Sequence, residues 1–221
     1  MKTIEQIIRN RATTKILGNP EKILKSADTK KMDRMLHSMT SIAGQAPFHY
    51  PADTEHLNSE KDSIVPWRFY TIASDEKNRL LQKLSEKQDK ASDPKWKKAW
   101  NSKIPRLIAG ADAIILVTWL PDSHKDFEKK IARDLEHVAA ASSACQNLLL
   151  LAESNDLFSY WSSGGIFKDP ECLSMLSIST KQKLLAAIFL SEKTKIGVTK
   201  NEGAWREKRG TANCWTQEIK I

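Results

Sequence analysis

Hydrophobic and polar positions alternate between two periods along the chain. Ile4, Ile7 and Ile8 recur at helical spacing, with Lys2, Glu5 and Arg9 on the polar side, and predict a short opening helix. Met32, Met35, Leu36, Met39 and Ile42 stand three or four residues apart and predict a second helix ending near Gly44, its methionine stripe serving as core. Periodicity then lapses. Residues 45–66 carry Pro47, Pro51, Pro66 and the pair His49 and His56. That is too long for a passive connector within a compact domain, so a functional or interface loop is expected there.

Residues 67–73, WRFYTIA, are aromatic and β-branched and predict a strand. Helical spacing returns around Leu80, Leu81 and Leu84 and again over 95–107. Residues 114–119 form a continuous apolar run closed by Pro121, the pattern of a central strand buried on both faces. The longest helix is predicted over 127–153, with Ile131, Leu135, Val138, Ala139, Ser142, Cys145, Leu149 and Ala152 on one side. Its middle, HVAAASSAC, is small on every face, as suits a helix buried on several sides or at a subunit interface. Residues 160–165, YWSSGG, read as a loop, and WTQEI at 215–219 as a possible last strand; 183–191 fits a strand or a buried helix by pattern alone, and its shortness and polar flanks favour the strand.

Composition narrows the class. The 221 residues, with no internal repeat, suffice for a single folded unit spanning 1–221. The opening is too polar for a secretory signal and no apolar run approaches a membrane span, so a soluble cytoplasmic protein is expected, without membrane association. Cys145, Cys172 and Cys214 are odd in number and widely spaced, which offers neither a disulfide framework nor a metal knuckle; no metal site is expected. A net charge of +8 favours anionic partners in general. A basic nucleic-acid-binding module is one such reading, but the 35 Lys and Arg are spread among 27 Asp and Glu and no recognition motif accompanies them. Glycine-rich dinucleotide and P-loop motifs, the zinc-peptidase helix and the nucleophile elbow are all missing from the sequence.

Two cationic stretches remain. In RNRATTKIL, Arg11, Thr13 and Lys15 alternate, so an extended backbone would project all three to one side. A guanidinium fork, a hydroxyl and an ammonium together suit a phosphate. A solvated charge run is the competing reading. Arg206, Lys208 and Arg209 form a second cluster, equally ambiguous alone.

Taken in order, R-x-T-x-K at 11–15, Ala46-Pro47, PW-x-F at 66–69 and the basic tail, with the small-residue helix and YWSSGG between them, give a chain that resembles the FMN-dependent nitroreductase family over nearly its full length. The resemblance implies an α+β fold, a central mostly antiparallel sheet flanked by helices, with a C-terminal extension exchanged in a homodimer. It implies FMN as cofactor and NADH or NADPH as donor. Hydride would pass by a two-step mechanism through flavin N5 to a nitroaromatic, quinone or similar small-molecule acceptor, or the same scaffold would serve reductive dehalogenation or a flavin-consuming oxidation.

Residue by residue, the resemblance assigns Arg11 and Thr13 to the FMN phosphate. It assigns Lys15 to the pyrimidine edge, where it would stabilise the reduced flavin. Arg206 with Lys208, or Arg209 in a shifted register, would close on the same phosphate. Pro47, Phe48 and His49 fall in the loop that covers the partner subunit's flavin, His49 being a candidate proton donor to product. Ser162, Ser163, Gly164 and Gly165 match the loop whose amides face flavin N5 and O4. Two departures stand out: Ser63 and Val65 replace the family's ring-contacting Asn and Gln, and Phe48 and His49 replace small residues. A differently shaped substrate pocket is expected from the second.

Overall fold

The computed structural model describes residues 2–22, 29–57, 63–195, 198–206 and 208–219. Its centre is a four-stranded antiparallel sheet in the order β2 (Trp67–Ala73), β3 (Ala113–Trp119), β5 (Lys183–Glu192), β4 (Leu157–Ser162). Strand β3, apolar but for the buried Thr118, lies inside because its side chains alternate between two cores. Ile114 and Leu116 join Leu81, Trp96 and Leu107 on one face, whereas Ala113, Ile115 and Val117 join Met39, Leu148 and Ala152 on the other. The first face is covered by α3 (Ser74–Lys90), α4 (Pro94–Trp100) and α5 (Lys103–Gly110), the second by α2 (Thr29–Ala43) and α6 (Phe127–Ser154). The short α1 (Ile4–Asn10) and α7 (Pro170–Met175) complete the α-helices among the described residues. No helix among them is long and apolar enough to cross a membrane.

A second sheet pairs β1 (Thr14–Leu17) antiparallel with β6 (Thr199–Glu202), Thr14 opposite Glu202 and Leu17 opposite Thr199. A single parallel bridge from Thr13 to Ser159 sets the start of β1 against β4. Thus the two ends of the chain meet at one edge of the main sheet.

Several expected elements are revised. The stretch 95–107 is two helices, because Asn101 closes α4 and Ser102 opens α5, its hydroxyl accepting from the Ile104 amide at 3.1 Å. Residues 160–162 are strand, paired in register with β5, and the turn begins only at Ser163. Residues 215–219 form no strand and are exposed; the tail's strand is the polar β6.

The buried face of α6 departs from the expected stripe in its first half: Ile131, Leu135 and Ala139 are exposed, while His137, Ala140, Ala141 and Ala144 are buried; farther along, the expected Cys145, Leu149 and Ala152 are buried. The alanines face inward because Trp67, only 2% exposed, packs against Ala140, Ala141 and Ala144. A ring that large can approach a helix backbone closely only over small side chains. The small middle of α6 is therefore filled by its own chain. Helix α1 buries none of its residues, and Ile4 and Ile8 are exposed; Thr3 and Gln6 close its N-terminus reciprocally.

Lys77, 2% exposed, donates from its ammonium to the Ala111 carbonyl at the end of α5, 2.7 Å away. Burial pushes its pKa down to about 8, nearby Lys195 adding to the shift and Asp112 opposing it. Since the folded value lies below the unfolded 10.5, the unfolded chain binds more protons between those pH values, and stability rises through that window. Below pH 8 the cost of the buried charge is fully present. Wild type is expected to gain up to about 3 kcal/mol on Lys77→Met between pH 8 and 10.5, read by denaturant unfolding at each pH. A difference independent of pH would refute the assignment.

Candidate functional site

The site begins where α1 stops. Arg11 closes that helix, its amide donating to the Ile7 carbonyl at 2.9 Å, and the backbone then becomes extended. Thr14 and Ile16, both 4% exposed, face the interior, which leaves Arg11, Thr13 and Lys15 on the other side, as their alternation predicts.

The tail returns along this edge. The Gly203 amide donates to the Thr13 carbonyl at 2.9 Å, and a β-carbon on Gly203 would stand 3.2 Å from Thr13 Cβ, so the two backbones run closely side by side. Arg206 then anchors the tail: its guanidinium donates to the carbonyls of Arg9, Asn10 and Arg11, groups left unpaired at the end of α1.

Together these segments enclose a cavity of about 670 Å³, walled by Arg11, Thr13, Lys15, Tyr160, Trp205, Arg206 and Arg209, with Glu202 the one acidic residue on its wall among the described residues. The volume lies within the ~300–1,000 Å³ typical of small-molecule sites. The half-buried Arg11 has its pKa lowered by desolvation first, then by Arg209 and Arg206, with only Glu153 opposing. Two exposed guanidiniums thus place positive charge beside the half-buried third. An anion placed there would reverse the sign of that interaction.

At the inner wall, the Lys15 ammonium lies 5.3 Å from the centre of the Tyr160 ring. Lys103, from the first turn of α5, donates to the Tyr160 hydroxyl at 2.9 Å. Lys103 escapes a reading of the sequence, since only the fold brings α5 to β4. Beyond Tyr160, the buried Ser162 hydroxyl accepts from the Gly164 amide at 3.2 Å. Gly164 has φ +99° and its missing β-carbon would fall 2.2 Å from a Leu184 methyl, so this turn admits no larger residue without rearrangement. Ser163 and Gly165, at φ +56°, complete the turn and are exposed.

The remaining candidates lie elsewhere. Lys208 is not among the residues walling the cavity; its ammonium sits 5.2 Å from the Trp205 ring centre. Pro47, Phe48, His49 and Ser63 do not reach the cavity of their own chain. Phe48 packs edge-on against Trp67 at 5.9 Å and His49 against Tyr50 at 4.5 Å. The Ser63 carbonyl accepts from the buried Arg68 at 3.0 Å, and Arg68 also donates to the carbonyls of Val65 and Trp67, both at 2.7 Å. Burial lowers the Arg68 pKa. This arginine, silent in the sequence pattern, organises the turn that leads into β2.

A helix-flanked antiparallel sheet with a cationic cavity at the meeting of its termini defines the general class. The chain belongs to the nitroreductase family: the model described as "Nitroreductase family" matches residues 30–190. The cationic residues of the cavity at 11–15 and 206–209 lie outside that matched span. Among solved structures, a nitroreductase-like family protein from Bacillus cereus superposes with a TM-score of 0.60 at 17% identity, covering 96% of each chain. A nitroreductase with bound FMN from Bacteroides fragilis gives 0.56 at 17% identity over 100% of both chains. A nitroreductase with bound FMN from Desulfitobacterium hafniense gives 0.55 at 16% identity, covering 96% of this chain and 98% of that one. At such identities the likeness is one of fold. A search of curated proteins returned no match by sequence.

Proposed function

We propose that this protein is an FMN-dependent oxidoreductase whose cofactor phosphate lies among Arg11, Thr13, Arg206 and Arg209. The observation that carries the reading is the convergence of Arg11, Arg206 and Arg209 with Thr13 on one cavity in a nitroreductase-family chain. The donor set fits the group. Arg11 and Arg209 supply guanidinium forks, Thr13 a hydroxyl, and Lys15 an ammonium two residues farther along the same strand face. Bound FMN would supply the chemistry, accepting hydride from NADH or NADPH and passing it in a second step to a nitroaromatic, quinone or similar acceptor.

The chain's own residues then do three things. Arg11 and Arg209 hold the phosphoryl end, and Arg206 keeps the tail in place by its grip on α1. Lys15 places positive charge against the pyrimidine edge, where reduction builds negative charge, in the manner of a preorganised oxyanion site. Ser162 fixes the glycine turn whose amides face the redox-active part of the ring.

A homodimer belongs to this reading. Pro47, Phe48, His49 and Ser63 sit away from their own cavity, and in a second copy they would cover the partner's flavin, with His49 placed to give a proton to product. Ile4, Ile8, Phe127, Ile131 and Leu135 are exposed apolar surface for such contact. Trp215 and Ile219, 62% and 82% exposed, belong to the extension that would cross to the partner.

Purified protein is expected to be yellow, to bleach anaerobically with NADH or NADPH, and to recover colour on adding a nitroarene or quinone. Protein that emerges colourless and takes up no added FMN would overturn the proposal.

A further inference from the structure

Two ammoniums converge on one tyrosine. Lys15 Nζ lies 5.3 Å from the Tyr160 ring centre, within cation–π range. Lys103 donates to the phenol oxygen at 2.9 Å. Tyr160 itself is fixed: it is 8% exposed, pairs with Phe189 across β4 and β5, and stacks on that ring with centroids 6.3 Å apart. Among the described residues, neither Lys15 nor Lys103 has a carboxylate within ion-pair distance.

The choice of partner matters physically. A carboxylate would hold these lysines and cancel their charge. Tyr160 holds Lys15 by its ring and Lys103 by its phenol oxygen, and leaves both charges intact. The structure assigns Tyr160 and Lys103 as positioning residues: Tyr160 braces the Lys15 ammonium at the cavity wall, and Lys103 locks Tyr160 while adding a second uncancelled positive charge beside it. The assignment rests on the reading of the cavity as an FMN site. Under it, both charges favour the electron-rich form of the bound cofactor over the oxidised form, and neither is needed to hold the phosphate.

The test separates binding from redox poise. FMN dissociation constants and the midpoint potential of bound FMN are measured for wild type, Lys103→Met, Tyr160→Phe and Tyr160→Leu. Lys103 is exposed at the start of α5, so its replacement leaves the fold intact; Tyr160→Phe keeps the ring and removes only the oxygen. Lys103→Met and Tyr160→Phe are each expected to weaken the preference for reduced over oxidised FMN by about threefold, the scale of a partly exposed charge interaction. This appears as a negative shift of the midpoint potential, with oxidised FMN bound as in wild type. Tyr160→Leu, which also frees Lys15, shifts it further. Combining Lys103→Met with Tyr160→Phe adds little to either, because both break one interaction.

Unchanged potentials in Lys103→Met and Tyr160→Leu, with FMN bound, would overturn the assignment while leaving the cofactor reading intact. Loss of oxidised FMN from Lys103→Met would also overturn it, by making Lys103 a binding residue. Wild-type protein that binds no FMN would overturn both.

Discussion

Replacing Arg11 and Arg209 together by alanine is expected to yield folded protein that no longer retains FMN. Each guanidinium would give the phosphate charge-assisted hydrogen bonds worth ~1.5–3 kcal/mol, so losing both weakens binding by roughly two to four orders of magnitude. Stability should change little. In the free protein these residues face each other as like charges, and the Arg11 pKa is held down by Arg209 as well as by burial. Their removal relieves that repulsion and gives up only the attraction of Arg11 to Glu153, so the melting temperature of FMN-free protein is expected to stay within ~2 °C of wild type. Arg206 is a poorer choice for this test because it also ties the tail to the end of α1. Lys208→Ala serves as the control: its ammonium lies over Trp205, outside the cavity wall, and the dissociation constant should stay within about twofold of wild type. Equilibrium dialysis with circular dichroism reads both quantities. Stoichiometric FMN in the double variant would place the phosphate elsewhere.

The two clusters were legible to different depths because different physics fixes them. Arg11, Thr13 and Lys15 share a face by local strand geometry alone, so their alternation was enough. In the tail, the sequence offered three cations and no register. The turn in which the Arg209 amide donates to the Arg206 carbonyl turns 206 and 209 to the cavity and 208 outward, a choice made by tertiary anchoring on α1. The main sheet was readable wherever burial is two-sided, as in β3 and β5, since a continuous apolar run marks burial on both faces; for β5 the shortness of the run and its polar flanks decided strand over buried helix. Strand β6 was unreadable for the opposite reason. All four of its residues are exposed, and it is extended only because β1 offers it a ladder. The inward face of α6 was misjudged because alanine carries little apolar weight in a periodicity count, yet it is what Trp67 requires. Lys103 and Arg68 act through carbonyl and hydroxyl groups distant in sequence or hidden in backbone, and no spacing rule reaches them.

The position of β1 depends on a contact far simpler than any ion pair. Gly110 ends α5 and Gly18 follows β1, and their backbones touch. A β-carbon on Gly110 would stand 2.3 Å from the Ile16 carbonyl oxygen and 2.8 Å from the Gly18 nitrogen; one on Gly18 would stand 2.7 Å from the Ala109 carbonyl carbon. Every opposing atom is main chain, so no rotamer change can make room. The hydrogen bond from the Gly18 amide to the Arg106 carbonyl, 2.9 Å, holds the contact shut. Gly110→Ala must therefore push β1 off α5. The expected cost is ~1–3 kcal/mol, or a fall of several degrees in melting temperature. The displacement does not stay local, because β1 carries Lys15, follows directly on Thr13 and is the ladder for β6, which leads the tail to Arg206 and Arg209. FMN affinity is expected to drop as well, though no cavity residue has changed. Gly44→Ala, whose nearest neighbour is the Thr40 carbonyl oxygen at 3.2 Å, sits at the end of α2 and should cost less and leave FMN binding alone. If Gly110→Ala melts with wild type and keeps its flavin, the two ends of the chain are not held in place through α5.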